Sequence, residues 1–146
     1  MVYIGTMRTY VGKRLTLLQK IEGRLTRKKG DVFVRADFAD LGSYNNVGLV
    51  LNDFVRRGRL LRFGKGIYTR AVPSPLDGTP IPPRGIQEIA AEALKRLGVK
   101  TAPTKLERDY NAGRTTQVPG GQLIGVNRRV RRRLGYNGAY MSFERA

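Results

Sequence analysis

The sequence predicts an α+β fold in two parts, and three observations carry that expectation. Apolar residues recur at helical spacing in several places. Short β-prone runs punctuated by glycine lie between and after them. A Pro/Gly-rich stretch, Pro73 to Gly85 (PSPLDGTPIPPRG), divides the 146-residue chain. Proline fixes extended backbone there, so the stretch reads as a linker. The expected organisation is residues 1–70, a linker over 71–85, and a second unit over 86–146.

The first part opens with Leu17, Leu18, Ile21 and Leu25 on one face of a helix over roughly 13–28, which Gly30 stops. Val32 to Val34 is a short β-prone run. Arg35 to Leu41 (RADFADL) predicts a two-turn helix burying Phe38 and Leu41. Gly42 turns the chain and Ser43 is placed as an N-cap. The next helix, over about 44–57, buries Val47, Val50, Leu51 and Phe54, and Gly58 suits its C-terminal stop. Leu60 to Phe63 and Ile67 to Thr69 flank Gly64-Lys65-Gly66 as a hairpin. Helix, short strand, helix, tight turn, helix and hairpin is the order of a winged helix-turn-helix, with the hairpin as wing.

The second part predicts a small α+β domain of two helices and a short antiparallel sheet. Ile86, Ile89, Ala90, Ala93, Leu94 and Leu97 keep one face of a helix over 84–97 apolar, with Glu88 and Glu92 on its polar side and Gly98 at its end. Thr104 and Glu107 form a capping-box pattern at the start of a shorter helix with Leu106 and Tyr110 inward. Leu123 to Val126, Val130 to Leu134 and Ala139 to Phe143 read as strands, and Asn137-Gly138 is the strongest hairpin-turn signal in the chain.

Charge points to the partner. Twenty-eight Lys and Arg face eleven Asp and Glu, a net +17. A folded domain this basic repels itself unless a polyanion neutralises it. The excess is uneven: +10 over residues 1–70, +1 over 71–104 and +6 over 105–146. Apolar residues make up 40%, too many for a disordered tail. No apolar run of membrane-spanning length, no signal-peptide pattern and no basic amphipathic segment rich in large apolar residues is found, so a cytoplasmic protein with no membrane partner is expected. Cysteine and histidine are absent. That removes disulfides, thiolate zinc sites, the thiol nucleophile and the usual general base. No Walker loop, GxSxG or metal-ligand cluster occurs, so no enzyme, no metal and no cofactor is expected. Asp31, Asp37 and Asp40 suit turns and helix starts.

The helix over 44–57 is the candidate recognition helix. Its face opposite the buried stripe carries Asn45, Leu49, Asn52 and Arg56, with Asn46 at the flank. An asparagine amide can donate and accept at once on an adenine edge, and an exposed Leu49 can touch a thymine methyl. N-terminal residues of a recognition helix normally reach the bases, so Ser43, Tyr44, Asn45, Asn46 and Leu49 precede Asn52 and Arg56 as candidates. On spacing alone, Asn45 and Asn46 equally suit the turn and first helical positions. Arg59, Arg62 and Lys65 on the wing, with Arg56 and Arg57, are expected to hold phosphates. Lys20, Arg24, Arg27, Lys28 and Lys29 make a basic outer face on the first helix, as secondary electrostatic support. The run Arg128, Arg129, Arg131, Arg132 and Arg133 is the densest charge in the chain. On a strand, Arg129, Arg131 and Arg133 would share one face, with Val130, Arg132 and Leu134 on the other. Its target could be DNA backbone, RNA or an acidic protein.

Residues 31–70 resemble the N-terminal domain of AbiEi-type antitoxins. The matching features are Asp37-Phe38, Gly42-Ser43, the stretch Gly58 to Arg62 and the wing strand Gly66 to Tyr68. The second half resembles the small C-terminal domain of a compact, plasmid- and phage-associated branch of that group, through Thr115-Thr116-Gln117-Val118-Pro119 and the arginine-rich and final strands. The resemblance spans about residues 12–144. Arg114 stands where a leucine commonly precedes TTQVP, and the link from Val126 to Arg128 is tighter than the Gly-containing turn of that group. The resemblance implies the antitoxin of a type IV toxin–antitoxin module. Such a protein represses its own promoter at inverted repeats and counters a nucleotidyltransferase toxin without a stable complex.

Overall fold

Helix α1 (Leu17–Arg27) begins where Thr16 can cap it. The Thr16 hydroxyl accepts from the Gln19 N–H (3.2 Å) and the Gln19 side chain accepts from the Thr16 N–H (2.8 Å), a reciprocal box that starts the helix later than the apolar spacing alone predicts. The computed structural model of the protein describes residues 15–120 and 122–145, so residues 13 and 14 of the expected helix lie outside the described residues. Strand β1 (Val32–Val34) follows.

The two-turn helix expected over Arg35 to Leu41 is instead a single 3-10 turn, Arg35–Phe38. Its bonds run from Ala39 N–H to the Ala36 carbonyl and from Leu41 N–H to the Phe38 carbonyl. Phe38 is fully buried and Leu41 half-buried. Helix α2 (Tyr44–Arg56) has Ser43 as N-cap, its hydroxyl accepting from the Asn46 N–H at 3.1 Å. Strands β2 (Leu60–Gly64) and β3 (Ile67–Arg70) complete an antiparallel sheet of order β1-β3-β2.

That sheet is covered on both faces. Phe33, Leu60 and Tyr68 pack with Ile21, Leu25, Phe38, Val47, Leu51 and Phe54, the inner faces of α1 and α2. The alternate residues Val32, Phe63 and Ile67 turn the other way. They join Ile89, Ala90, Ala93 and Leu94 of helix α3 (Ile86–Arg96), together with Val126 and Leu134. The Pro/Gly-rich stretch between them holds a short hairpin, β4 (Val72–Pro73) with β5 (Pro80–Ile81).

The remaining chain forms β6 (Thr101–Ala102), α4 (Lys105–Asn111), β7 (Leu123–Val126), the hairpin β8 (Gly135–Tyr136) with β9 (Ala139–Tyr140), and β10 (Ser142–Arg145). The fold is α+β. The second sheet, expected to be antiparallel, is mixed: β6 lies antiparallel to β7, but β10 runs parallel to it. The long excursion over 127–141 returns the chain to the starting edge of β7, which a tight hairpin cannot do. The expected strand Val130–Leu134 forms no ladder, and Ala139–Phe143 is split at buried Met141. Asn137 and Gly138 take positive φ (50° and 80°) in the β8–β9 turn, as expected for Asn-Gly. The capping box of Thr104 and Glu107 forms, but Tyr110 is 43% exposed rather than inward, and no residue of α4 is fully buried. Glu92 is not on a solvated face. It accepts from the N–H groups of Asp31 and Val32 (both 2.9 Å) and pairs with Arg84, tying α3 to β1.

Candidate nucleic-acid interface

The interface is built around the N-terminus of α2. Tyr44, its first residue, is 70% exposed, and Leu49 is 66% exposed. Asn45 and Asn46 are exposed as well. Among the described residues, neither asparagine side chain has a hydrogen-bond partner, so both amides are available. Ser43 is exposed, but its hydroxyl is engaged as the helix cap.

The cations expected to hold phosphates divide into two groups. Arg56 and Arg57 both pair with Asp53, at 3.1 and 2.9 Å. Arg59 pairs with Glu22 at 2.7 Å and lies over the Phe54 ring. Arg62 donates to the Asn52 amide oxygen and lies over Tyr68. These four guanidinium groups are therefore engaged within the protein, and Asn52 is half-buried as Arg62's acceptor. On α1, Arg24 pairs with Asp40, whose hydrogen bond raises the arginine's affinity for its proton. Lys65, in the β2–β3 turn, is exposed.

The arginine-rich segment lies beside that turn. Arg132 donates to the Lys65 carbonyl at 3.3 Å. A Cβ placed on Gly64 would come within 2.9 Å of the Arg133 carbonyl oxygen, so the segment runs directly against the end of β2. Leu134 is fully buried in the second core and anchors the segment there. The alternating faces expected of a strand are absent: Arg128, Arg129, Arg131, Arg132 and Arg133 are all exposed. Arg133 lies 4.8 Å over the Tyr140 ring and Arg128 donates to the Leu97 carbonyl. The β2–β3 turn, Arg131, Arg132, Arg133, Arg35 and Tyr44 border one open groove of about 970 Å³.

Arg35 is the residue that sequence reasoning missed. Its guanidinium sits 3.7 Å from the centroid of the Tyr44 ring and donates to the Tyr44 carbonyl. A Cβ on Gly48 would come within 3.3 Å of an Arg35 terminal nitrogen. Glycine inside a helix costs about 1 kcal/mol relative to alanine. Here it leaves room for the arginine to lie flat against α2. That interior glycine was the readable signal.

The 3-10 turn that presents Arg35 is held by Asp37. Its carboxylate accepts from the Val34 N–H (2.9 Å) and from Arg96 (3.0 Å to Nη1), with Lys28 at 3.8 Å. Burial pushes the Asp37 pKa up, but the hydrogen bonds from Arg96 and Val34 and the charges of Arg96 and Lys28 outweigh it and hold it below the ordinary value. No helix among the described residues is long and apolar enough to cross a membrane.

Compared with known proteins, the chain matches a family model described as a family of unknown function (DUF6088) over residues 19–131. No curated protein and no solved structure matches it with significance.

Proposed function

The chain belongs to the DUF6088 family, and from the geometry of its exposed helix we propose that it is a sequence-specific duplex-DNA-binding protein of winged helix-turn-helix type. In this reading α2 enters the major groove, Asn45, Asn46 and Leu49 meet base edges, and the β2–β3 wing lies on the backbone. The observation that carries it is the unpartnered, exposed N-terminal face of α2 beside a groove bordered by arginines. A buried or acidic face at that place would exclude the reading. The one carboxylate on α2, Asp53, is already paired with Arg56 and Arg57.

The finer form of the proposal is a transcriptional repressor acting at its own promoter, the autorepressor and antitoxin role that the motif resemblance implies. Mobility-shift titration against the protein's own upstream region and against random duplex tests it. Neutralising about six phosphates gives a log–log salt slope near −5, with tighter binding to the upstream region. Equal affinity for both duplexes refutes the specific-repressor reading. Changing Asn45 and Leu49 to Ala is expected to cost about tenfold or more on the specific site, with little effect on random duplex.

A further inference from the structure

We propose that the Arg128–Arg133 segment, rather than the arginines of α2 and β2, is the main phosphate grip of this protein. It would act as a backbone clamp beside the wing. The inference rests on the duplex-binding reading and adds which cations supply its electrostatic part. Three observations converge on it.

The first is the distribution of carboxylates. Asp53 takes Arg56 and Arg57, Glu22 takes Arg59, Asp31 and Glu92 take Arg84, and Asp37 takes Arg96. Asp40 takes Arg24 and Asp109 takes Arg114. Among the described residues, no carboxylate lies within ion-pair distance of Arg128, Arg129, Arg131, Arg132 or Arg133. Five exposed guanidinium groups without a carboxylate partner in six positions are the densest run of positive charge among the described residues. To meet a phosphate, Arg56, Arg57 and Arg59 must exchange an internal carboxylate, whereas the five arginines of the segment have none to give up.

The second is position. Arg132 bonds the wing-turn carbonyl and Arg133 runs against Gly64, so the segment extends the wing laterally. Arg131, Arg132 and Arg133, with Lys65, face the same groove as Tyr44 at the start of α2, and Arg128 and Arg129 continue the segment beyond it. A duplex seated on α2 passes this edge. The third is anchoring. Leu134 is fully buried and Val130 is packed against the same core. The segment therefore loses less freedom on binding than a free basic tail would. Arginine, with its planar fork, suits bidentate phosphate contact.

The test is the salt dependence of binding to a random-sequence duplex, for the full chain carrying Arg129→Gln and Arg131→Gln. Neither side chain is used inside the described fold. Losing two phosphate contacts lowers the log–log slope by about 1.8 and weakens binding about 30-fold at 0.15 M salt. Arg56→Gln with Arg57→Gln is expected to move the slope by far less. Arg129→Lys with Arg131→Lys should keep the wild-type slope, separating charge from structure. An unchanged slope in the Gln variant overturns the proposal. So does a duplex affinity that stays intact while binding to single-stranded RNA or to polyglutamate falls, which would assign the segment to that partner. Because random duplex is the probe, loss of preference for the upstream region would sink the repressor reading alone. An unaltered slope with that preference intact would sink only the clamp.

Discussion

Replacing Asp37 with Ala tests how the second half of the chain supports the helix proposed to read DNA. The carboxylate is 10% exposed and takes the Val34 N–H, two guanidinium nitrogens of Arg96 and the nearby charge of Lys28. A charge-assisted hydrogen bond contributes about 1.5–3 kcal/mol. Arg96 is 29% exposed, so water recovers part of that loss, and its two bonds count as one bidentate contact. Adding the unpaired Val34 N–H, the expected cost is about 2–3 kcal/mol. For a chain of this length that lowers Tm by roughly 8 °C. The pH dependence gives the sign. The folded-state pKa of Asp37 lies below its ordinary value, so its stabilisation is fully present above the unfolded pKa, about 3.9, and is lost as pH falls through the folded value. Thermal melts of wild type and variant should therefore differ by a constant gap from about pH 7 to about pH 5, and the gap should close in stronger acid. A gap under about 2 °C at neutral pH, or one that persists unchanged in strong acid, refutes the assigned role.

Other perturbations follow from the same geometry. Gly125→Ala puts a Cβ 2.1 Å from the Ala102 carbonyl oxygen, a backbone clash that only separation of β6 from β7 relieves. A loss of about 3 kcal/mol in denaturant unfolding is expected, and an unchanged midpoint would contradict it. Thr104→Ala removes the α4 cap and should cost about 1 kcal/mol, read as faster amide exchange confined to that helix. Arg35→Ala frees the Tyr44 ring; duplex affinity should fall about tenfold while the melting temperature barely moves, and a large stability loss would make Arg35 purely structural.

Much of the first half was readable residue by residue. The Ser43 cap, the buried Val47, Leu51 and Phe54, the exposed Leu49 and the β2–β3 hairpin all follow from local spacing and turn chemistry. Arg35 to Leu41 was read one class too regular, because apolar spacing at Phe38 and Leu41 fits either an α-turn or a 3-10 turn, and only chain length separates them. The arginine run was legible as charge and not as shape. A β-prone Val130 and Leu134 predict a ladder, but the segment passes the β2 edge at Gly64 without ladder pairing. The pairing of Arg56 and Arg57 with Asp53 was legible as i,i+3 and i,i+4 helix spacing, but the partners of Arg59 and Arg62 were not. Arg59 meets Glu22, 37 residues away, and no periodicity announces such a partner.

The amino-acid sequence by itself determined the α+β class, the helix faces, the turn positions and the large positive excess, since each depends on residues within a few positions or on simple counting. The three-dimensional packing decided which charges remain free. Asp53 on the same helix pairs with Arg56 and Arg57 and the distant Glu22 pairs with Arg59, while among the described residues the arginines beside the β2–β3 turn have no carboxylate. Packing also made the β1-β3-β2 sheet a wall shared by two cores, because a strand's alternate side chains point both ways and each face must be covered by whatever the rest of the chain brings to it.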